Sequence, residues 1–103
     1  MAQILVVDDS ATVRNEVSSF IKSHGMTVEV AVDGKDGLEK LKNDPSVKLI
    51  VSDVNMPNMD GISFLREKAQ REAVKNIPVL MISTETGDDI IGEAKSLGAV
   101  GAI

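Results

Sequence analysis

The sequence predicts an α/β domain built on a doubly wound parallel sheet, and three observations predict it. Runs 4–7, 49–51 and 79–82 are apolar at successive positions and rich in β-branched residues, as strands covered on both faces must be. The segments between them place apolar residues at helical spacing. Each run also ends abruptly, in Asp8-Asp9-Ser10, Asp53-Val54-Asn55 and Ser83-Thr84-Glu85.

Taken in order, strand 1 at 4–7 leads into a helix whose apolar face is Val13, Val17, Phe20 and Ile21, with Gly25 available to end it in the left-handed conformation. Residues 27–32 alternate and keep a charge at Glu29, which places this second strand at a sheet edge. Asp33 can cap a second helix that carries Leu38 and Leu41. Strand 3 at 49–51 is followed by a tight turn. There Pro57 keeps Met56 out of the helical region and Gly61 eases entry to a third helix marked by Ile62, Leu65 and Ala69. Strand 4 at 79–82 precedes a fourth helix with Ile90, Ala94 and Leu97, ended by Gly98, and 100–103 begins a fifth strand. The βαβαβαβαβ order implies right-handed crossovers, and the edge position of strand 2 favours the order 2-1-3-4-5. Strand order then reverses between strands 1 and 3, and ligands bind beyond the carboxyl ends at such a point.

The chain has 103 residues, enough for one domain and one core. It has no cysteine and a single histidine, His24, which excludes disulfide frameworks and the usual zinc sites. His24 falls at the end of helix 1, away from the polar rim, and reads as a surface residue at a favourable helix terminus. The net charge of −5, from 16 acidic and 11 basic residues, argues against direct nucleic-acid binding. The first apolar run is too short for a signal peptide, and no run approaches a membrane span of ~20 residues. A soluble cytoplasmic protein is the expectation. The mixed charges at Glu39, Lys40 and Lys42, and along 66–72, read as solvated helix faces.

The polar strand endings converge on one rim, bringing Asp8, Asp9 and Asp53 together. Singly, each has a structural reading: loop acids beside a helix N-terminus, a turn residue at Asp53, a cap at Ser83. As a set they require compensation, because like charges ~4 Å apart repel by about 4 kcal/mol per pair at an effective dielectric of ~20. A hard cation such as Mg²⁺, which takes a few carboxylates and phosphate oxygens, fits this donor set. Asp53, after the most buried central strand, is the best nucleophile, since a carboxylate can form an acyl phosphate. Ser83 can donate to a phosphoryl oxygen. Met56 and Met59 read as packing residues, their sulfur being too soft for Mg²⁺.

Ile4-Leu5-Val6-Val7-Asp8-Asp9-Ser10, Asp53-Val54-Asn55-Met56-Pro57-Asn58-Met59-Asp60-Gly61 and Pro78-Val79-Leu80-Met81-Ile82-Ser83 resemble the receiver domains of two-component response regulators, single-domain chemotaxis regulators in particular. The likeness runs through residues 1–103 in register. It implies a flavodoxin-like fold and a signalling phosphoacceptor, not an enzyme with a separate substrate. Asp53 would receive a phosphoryl group from a histidine kinase or phosphotransfer domain, and a downstream protein would read the change. Asp9 and Asp53 would ligate Mg²⁺ directly, Asn55 through its backbone carbonyl and Asp8 mostly through water. Ser83 would be the switch residue. Asn55 and Glu85 would tune the lifetime of the acyl phosphate, and the bulk of Thr84 would slow access somewhat.

Two features depart from the family. The lysine that pairs with the phosphoryl group should fall about two residues beyond Ile103, followed by a fifth helix, and Ala102 stands where many members place an aromatic. These lead to the expectation of a receiver cut inside its fifth strand, with dimerisation or domain swapping through the exposed end, and with the alternative of a fragment that serves structurally without switching. Two rivals fit less well. A flavodoxin-like cofactor binder needs a phosphate loop in place of Asp8-Asp9, and an aspartyl phosphatase needs an Asp-x-Asp motif after strand 1.

Overall fold

The computed structural model of the chain describes residues 2–53, 58–82, 96 and 99–102, for 100–102 the backbone alone. Strands β1 (Ile4–Val7), β2 (Val28–Ala31), β3 (Leu49–Asp53) and β4 (Val79–Ile82) alternate with helices α1 (Ala11–Ser23), α2 (Gly34–Asn43) and α3 (Gly61–Ala69). All pairings are parallel, in the order β2-β1-β3-β4. A further short strand, β5 (Ala99–Ala102), lies parallel beside β4 with a register shift between Val79 and Leu80. The predicted edge strand is at the edge, and β3 extends two residues past the apolar run to include Ser52 and Asp53. The predicted fourth helix lies outside the described residues.

Successive strand residues face opposite sides of the sheet, so the apolar runs feed two cores. Leu5, Val7, Ile50, Val79 and Met81 pack with Leu38, Leu41, Phe64 and Leu65 from α2 and α3. Ile4, Val6 and Val51 pack with Ile21 of α1, with Val17 and Ile82 partly buried against them. Burial of one such side chain is worth about 1.5–3 kcal/mol. Phe20 lies on the apolar face of α1 with Val17 and Ile21, as predicted, but is 66% exposed. It sits with Met26 at the rim of an open apolar groove of about 440 Å³ whose floor includes Ile4, Leu49 and Val51. Its ring also packs against His24, 4.7 Å between centroids.

Helix ends follow their caps. Ser10 and Asp33 accept the backbone N–H of Val13 and Asp36 at the starts of α1 and α2. Gly25, at φ 81°, follows the α1 cap His24 and takes the left-handed turn expected of it. Asp60, whose role the sequence reading missed, caps α3 through the Ser63 N–H at 2.7 Å.

Within α3 the buried face is Gly61, Phe64, Leu65 and Lys68. Lys68 overturns the reading of 66–72 as solvated throughout: it is 1% exposed, and its Nζ donates to the Lys75 carbonyl at 3.0 Å. Burial pushes its ammonium below the ordinary lysine pKa. The turn that delivers β4 is thereby fastened from inside the core.

Candidate functional site

The site is assembled by strand register. Val7 pairs with Ser52 across β1 and β3, so the residues that follow, Asp8 and Asp53, leave the sheet side by side at its carboxyl edge. Carboxylate oxygens of Asp8, Asp9 and Asp53 all lie within 4.8 Å of one another. Asp8 is buried, Asp9 exposed and Asp53 half-buried.

Asp8 is held from several sides. Its Oδ1 accepts the Ser10 N–H at 2.8 Å, and its carbonyl accepts a hydrogen bond from Arg14 Nη1 at 2.7 Å. Its own N–H donates to the Ala31 carbonyl of β2 at 3.1 Å. Burial pushes its pKa above the ordinary aspartate value, and the neighbouring Asp53 and Asp9 push the same way. The Ser10 hydrogen bond and the Arg14 charge oppose them without prevailing. A buried carboxylate crowded by two others is costly to ionise, and the charge is relieved most directly by a cation. The donors are all oxygens, which suits a hard divalent ion, so this residue set could hold a metal.

The three aspartates expected at the rim are therefore together. Asn55 and Ser83, the other expected site residues, lie outside the described residues, as do Met56, Pro57, Thr84 and Glu85. Met59 packs against the larger core, in keeping with its reading as a packing residue. His24 caps the far end of α1 and is exposed, with Nδ1 2.9 Å from the Phe20 carbonyl.

Two contributors were not anticipated. Arg14 reaches back from the first turns of α1 to the Asp8 carbonyl, a contact that helical spacing from Ser10 could have suggested. The second lies beside the rim, where the loop entering α3 meets the start of α2. Asn58 Nδ2 donates to Asp33 Oδ2 at 2.8 Å, and the Gly34 N–H donates to the Met59 carbonyl at 3.1 Å. Asp33 Oδ1 meanwhile accepts the Asp36 N–H at 2.8 Å. Led by the Asn58 hydrogen bond, these donors hold the Asp33 carboxyl below the ordinary aspartate pKa.

A parallel doubly wound sheet with an acidic triad at its switch point defines a class, and comparison with known proteins names it. The family model described as the response regulator receiver domain matches residues 4–103, and the chain belongs to that family. It is 39% identical to the chemotaxis protein CheY of Treponema pallidum over 99 residues, covering 94% of this chain and 67% of that protein. Among solved structures, Vibrio cholerae CheY4 superimposes with a TM-score of 0.92 at 39% identity, over 100% of this chain and 85% of that one. CheY in the CheX-CheY-BeF3-Mg+2 complex of Borrelia burgdorferi gives a TM-score of 0.91 at 30% identity, over 97% and 75%. Relatives also include larger proteins: the chain spans 27% of the length of a protein-glutamate methylesterase of Rhodospirillum rubrum to which it is 42% identical. The chain is thus a response regulator receiver domain of two-component signalling, similar to chemotaxis regulators. Among the described residues no helix is long and apolar enough to cross a membrane.

Proposed function

We propose that residues 1–103 act as one signalling phosphoacceptor, taking a phosphoryl group from a histidine kinase or phosphotransfer domain onto Asp53 in a Mg²⁺-dependent reaction. The observation that carries this reading is the convergence of Asp8, Asp9 and Asp53 within 4.8 Å, with Asp8 buried and its ionisation resisted. The B. burgdorferi relative, named in a complex with BeF3 and Mg²⁺, supports the choice of metal. Asp9 and Asp53 are its proposed direct ligands, with the Asn55 carbonyl and, mostly through water, Asp8. Bound there, Mg²⁺ would neutralise the carboxylates and the phosphoryl oxygens.

In the transfer, an Asp53 carboxylate oxygen attacks phosphorus. The P–O bond forms as the P–N bond of the phosphohistidine breaks, and the imidazole keeps the electron pair. Ser83 donates to a phosphoryl oxygen in the phosphorylated state, the contact through which the change spreads to a protein target. Attack by water on phosphorus later releases phosphate and restores Asp53. The domain catalyses these two steps on itself and turns over no other substrate. The net charge of −5 disfavours direct nucleic-acid contact, and the setting is the cytoplasm. A five-stranded sheet with β5 as its outer strand completes the fold in this reading.

The test is incubation with a small-molecule phosphodonor and Mg²⁺, followed by mass mapping. One phosphoryl group on Asp53, absent when EDTA is present, is expected. Labelling of Asp53→Asn at the parent level would overturn the assignment.

A further inference from the structure

The turn that carries the acidic rim is fastened on both sides of Asp9. Asp8 N–H donates to the Ala31 carbonyl, and Asp8 Oδ1 accepts the Ser10 N–H at 2.8 Å. Ser10 in turn holds the start of α1: its Oγ accepts the Val13 N–H at 3.3 Å and its carbonyl the Arg14 N–H at 2.9 Å. Arg14 Nη1 then reaches back to the Asp8 carbonyl at 2.7 Å, as helical side chains lean toward the N-terminus of their own helix. Asp9 stands between these fixed points. It is exposed, and among the described residues no hydrogen bond or ion pair holds its carboxylate. Yet an oxygen of that carboxylate lies within 4.8 Å of oxygens of Asp8 and Asp53.

The N-terminus of a helix is an unfavourable place for a cation, and a guanidinium near three carboxylates has ready partners for a bidentate pair. Among the described residues Arg14 makes no ion pair; its acceptor is the Asp8 carbonyl. That oxygen belongs to the same planar peptide as the Asp9 N–H, so holding it fixes the plane from which Asp9 leaves. Building on the phosphoacceptor reading and its metal site, we infer that Arg14 is a positioning residue for Asp9: its bond to the Asp8 carbonyl turns the peptide between Asp8 and Asp9 so that the otherwise unheld Asp9 carboxylate faces Asp8 and Asp53. Arg14 touches neither the metal nor a reacting atom. Its charge repels a cation at the rim, so what it contributes to metal binding comes through the geometry of that peptide. The two effects have opposite signs, which makes the role measurable.

The experiment is amide NMR of the full chain, first metal-free and then titrated with Mg²⁺ alone. Arg14→Gln removes the charge and is too short to reach the carbonyl, while remaining a good helix former at a half-buried position. Arg14→Met also removes both and keeps an apolar stem. In the metal-free spectrum of each variant the Asp9 amide nitrogen, which shares its peptide with the released carbonyl, should move further than the amides of Asp8 and Ser10, whose own hydrogen bonds do not involve Arg14. With Mg²⁺ added and binding followed at Ser10, both variants should bind about 10-fold more weakly than the parent. Equal or tighter binding would overturn the inference, the tighter result showing that Arg14 acts by its charge alone. Movement of Asp8 or Ser10 as large as that of Asp9 would overturn it too, since the whole turn would then have shifted. A parent whose Ser10 does not respond to Mg²⁺ overturns the metal-site reading, and the role of Arg14 with it.

Discussion

Asp8 and Asp33 are the same side chain, similarly buried (4% and 7% exposed), just beyond the ends of neighbouring strands, yet their environments push them in opposite directions. Asp8 has one backbone donor on its carboxylate and two carboxylates beside it. Asp33 has Asn58 and the Asp36 N–H on its two oxygens. Low exposure alone therefore does not settle what a carboxylate does: burial, and after it Asp53 and Asp9, push Asp8 up, while the donors on Asp33 outweigh its burial. Where donors surround it, the charge helps hold the fold together. Where it is buried with few donors and other acids stand beside it, the charge is costly, and such a group is a candidate for a cation site.

The satisfied side depends on close approach between α2 and the loop entering α3. Gly34→Ala places a Cβ 2.8 Å from both the Met59 carbonyl and its Cγ, and 3.0 Å from Phe64 Cβ. Since a backbone oxygen cannot yield cheaply, urea denaturation should show a loss of about 2–3 kcal/mol, well beyond any gain in helix propensity. A neutral result would mean that the loop shifts freely, and that the contrast with Asp8 is one of exposure only.

The strained side should respond in the opposite sense. Asp8→Asn removes a buried negative charge and should stabilise the metal-free chain by about 1 kcal/mol, roughly 4–8 °C in Tm for a domain of this size. On the proposed function, millimolar Mg²⁺ should raise the Tm of the parent by a stabilisation of the form RT ln(1 + [L]/Kd), and the variant should show a smaller rise. Calorimetry with and without Mg²⁺ checks both, and destabilisation of the metal-free variant would contradict the account of Asp8.

The smallest effect is in the pH dependence. The folded pKa of Asp33 is depressed, so its contribution is fully present above the ordinary aspartate value of 3.8 and is lost as pH falls through the lower folded value. The folded pKa of Asp8 is raised, so its contribution runs the other way: present below 3.8, and lost as pH rises through the higher folded value. Asp33→Asn, which keeps a competent cap, should cost under ~1 kcal/mol at pH 7 and flatten the acid limb of the stability profile. An acid limb as steep as that of the parent would show that Asp33 is not the group responsible.

The strands and the acidic rim were legible because both are local signals. A four-residue apolar run that breaks at Asp8 states where the strand ends, and parallel packing then sends every such break to one edge. The Asp33–Asn58 hydrogen bond was not legible, because the two residues are 25 apart and each has an adequate local reading, as a cap and as a turn residue. In α3 the buried face is Gly61, Phe64, Leu65 and Lys68. Of the expected Ile62, Leu65 and Ala69, Leu65 is buried, Ile62 partly so and Ala69 exposed, and a lysine in the buried set reads from sequence as a charge for solvent. Phe20 lies on the expected face, beside Val17 and Ile21 at the groove, yet is exposed: helical periodicity assigns a residue to a face and says nothing of how far the neighbouring layer extends over it.

Lys68 also offers a gauge of motion. A primary amine usually meets acylating reagents at once, as Lys75, its side chain 41% exposed, should. Lys68 of α3 is buried with its nitrogen on the Lys75 carbonyl, so reagent reaches it when the packing between α3 and the turn carrying Lys75 opens. Its labelling rate relative to Lys75 therefore measures how often this part of the domain breathes, without any probe having to be introduced.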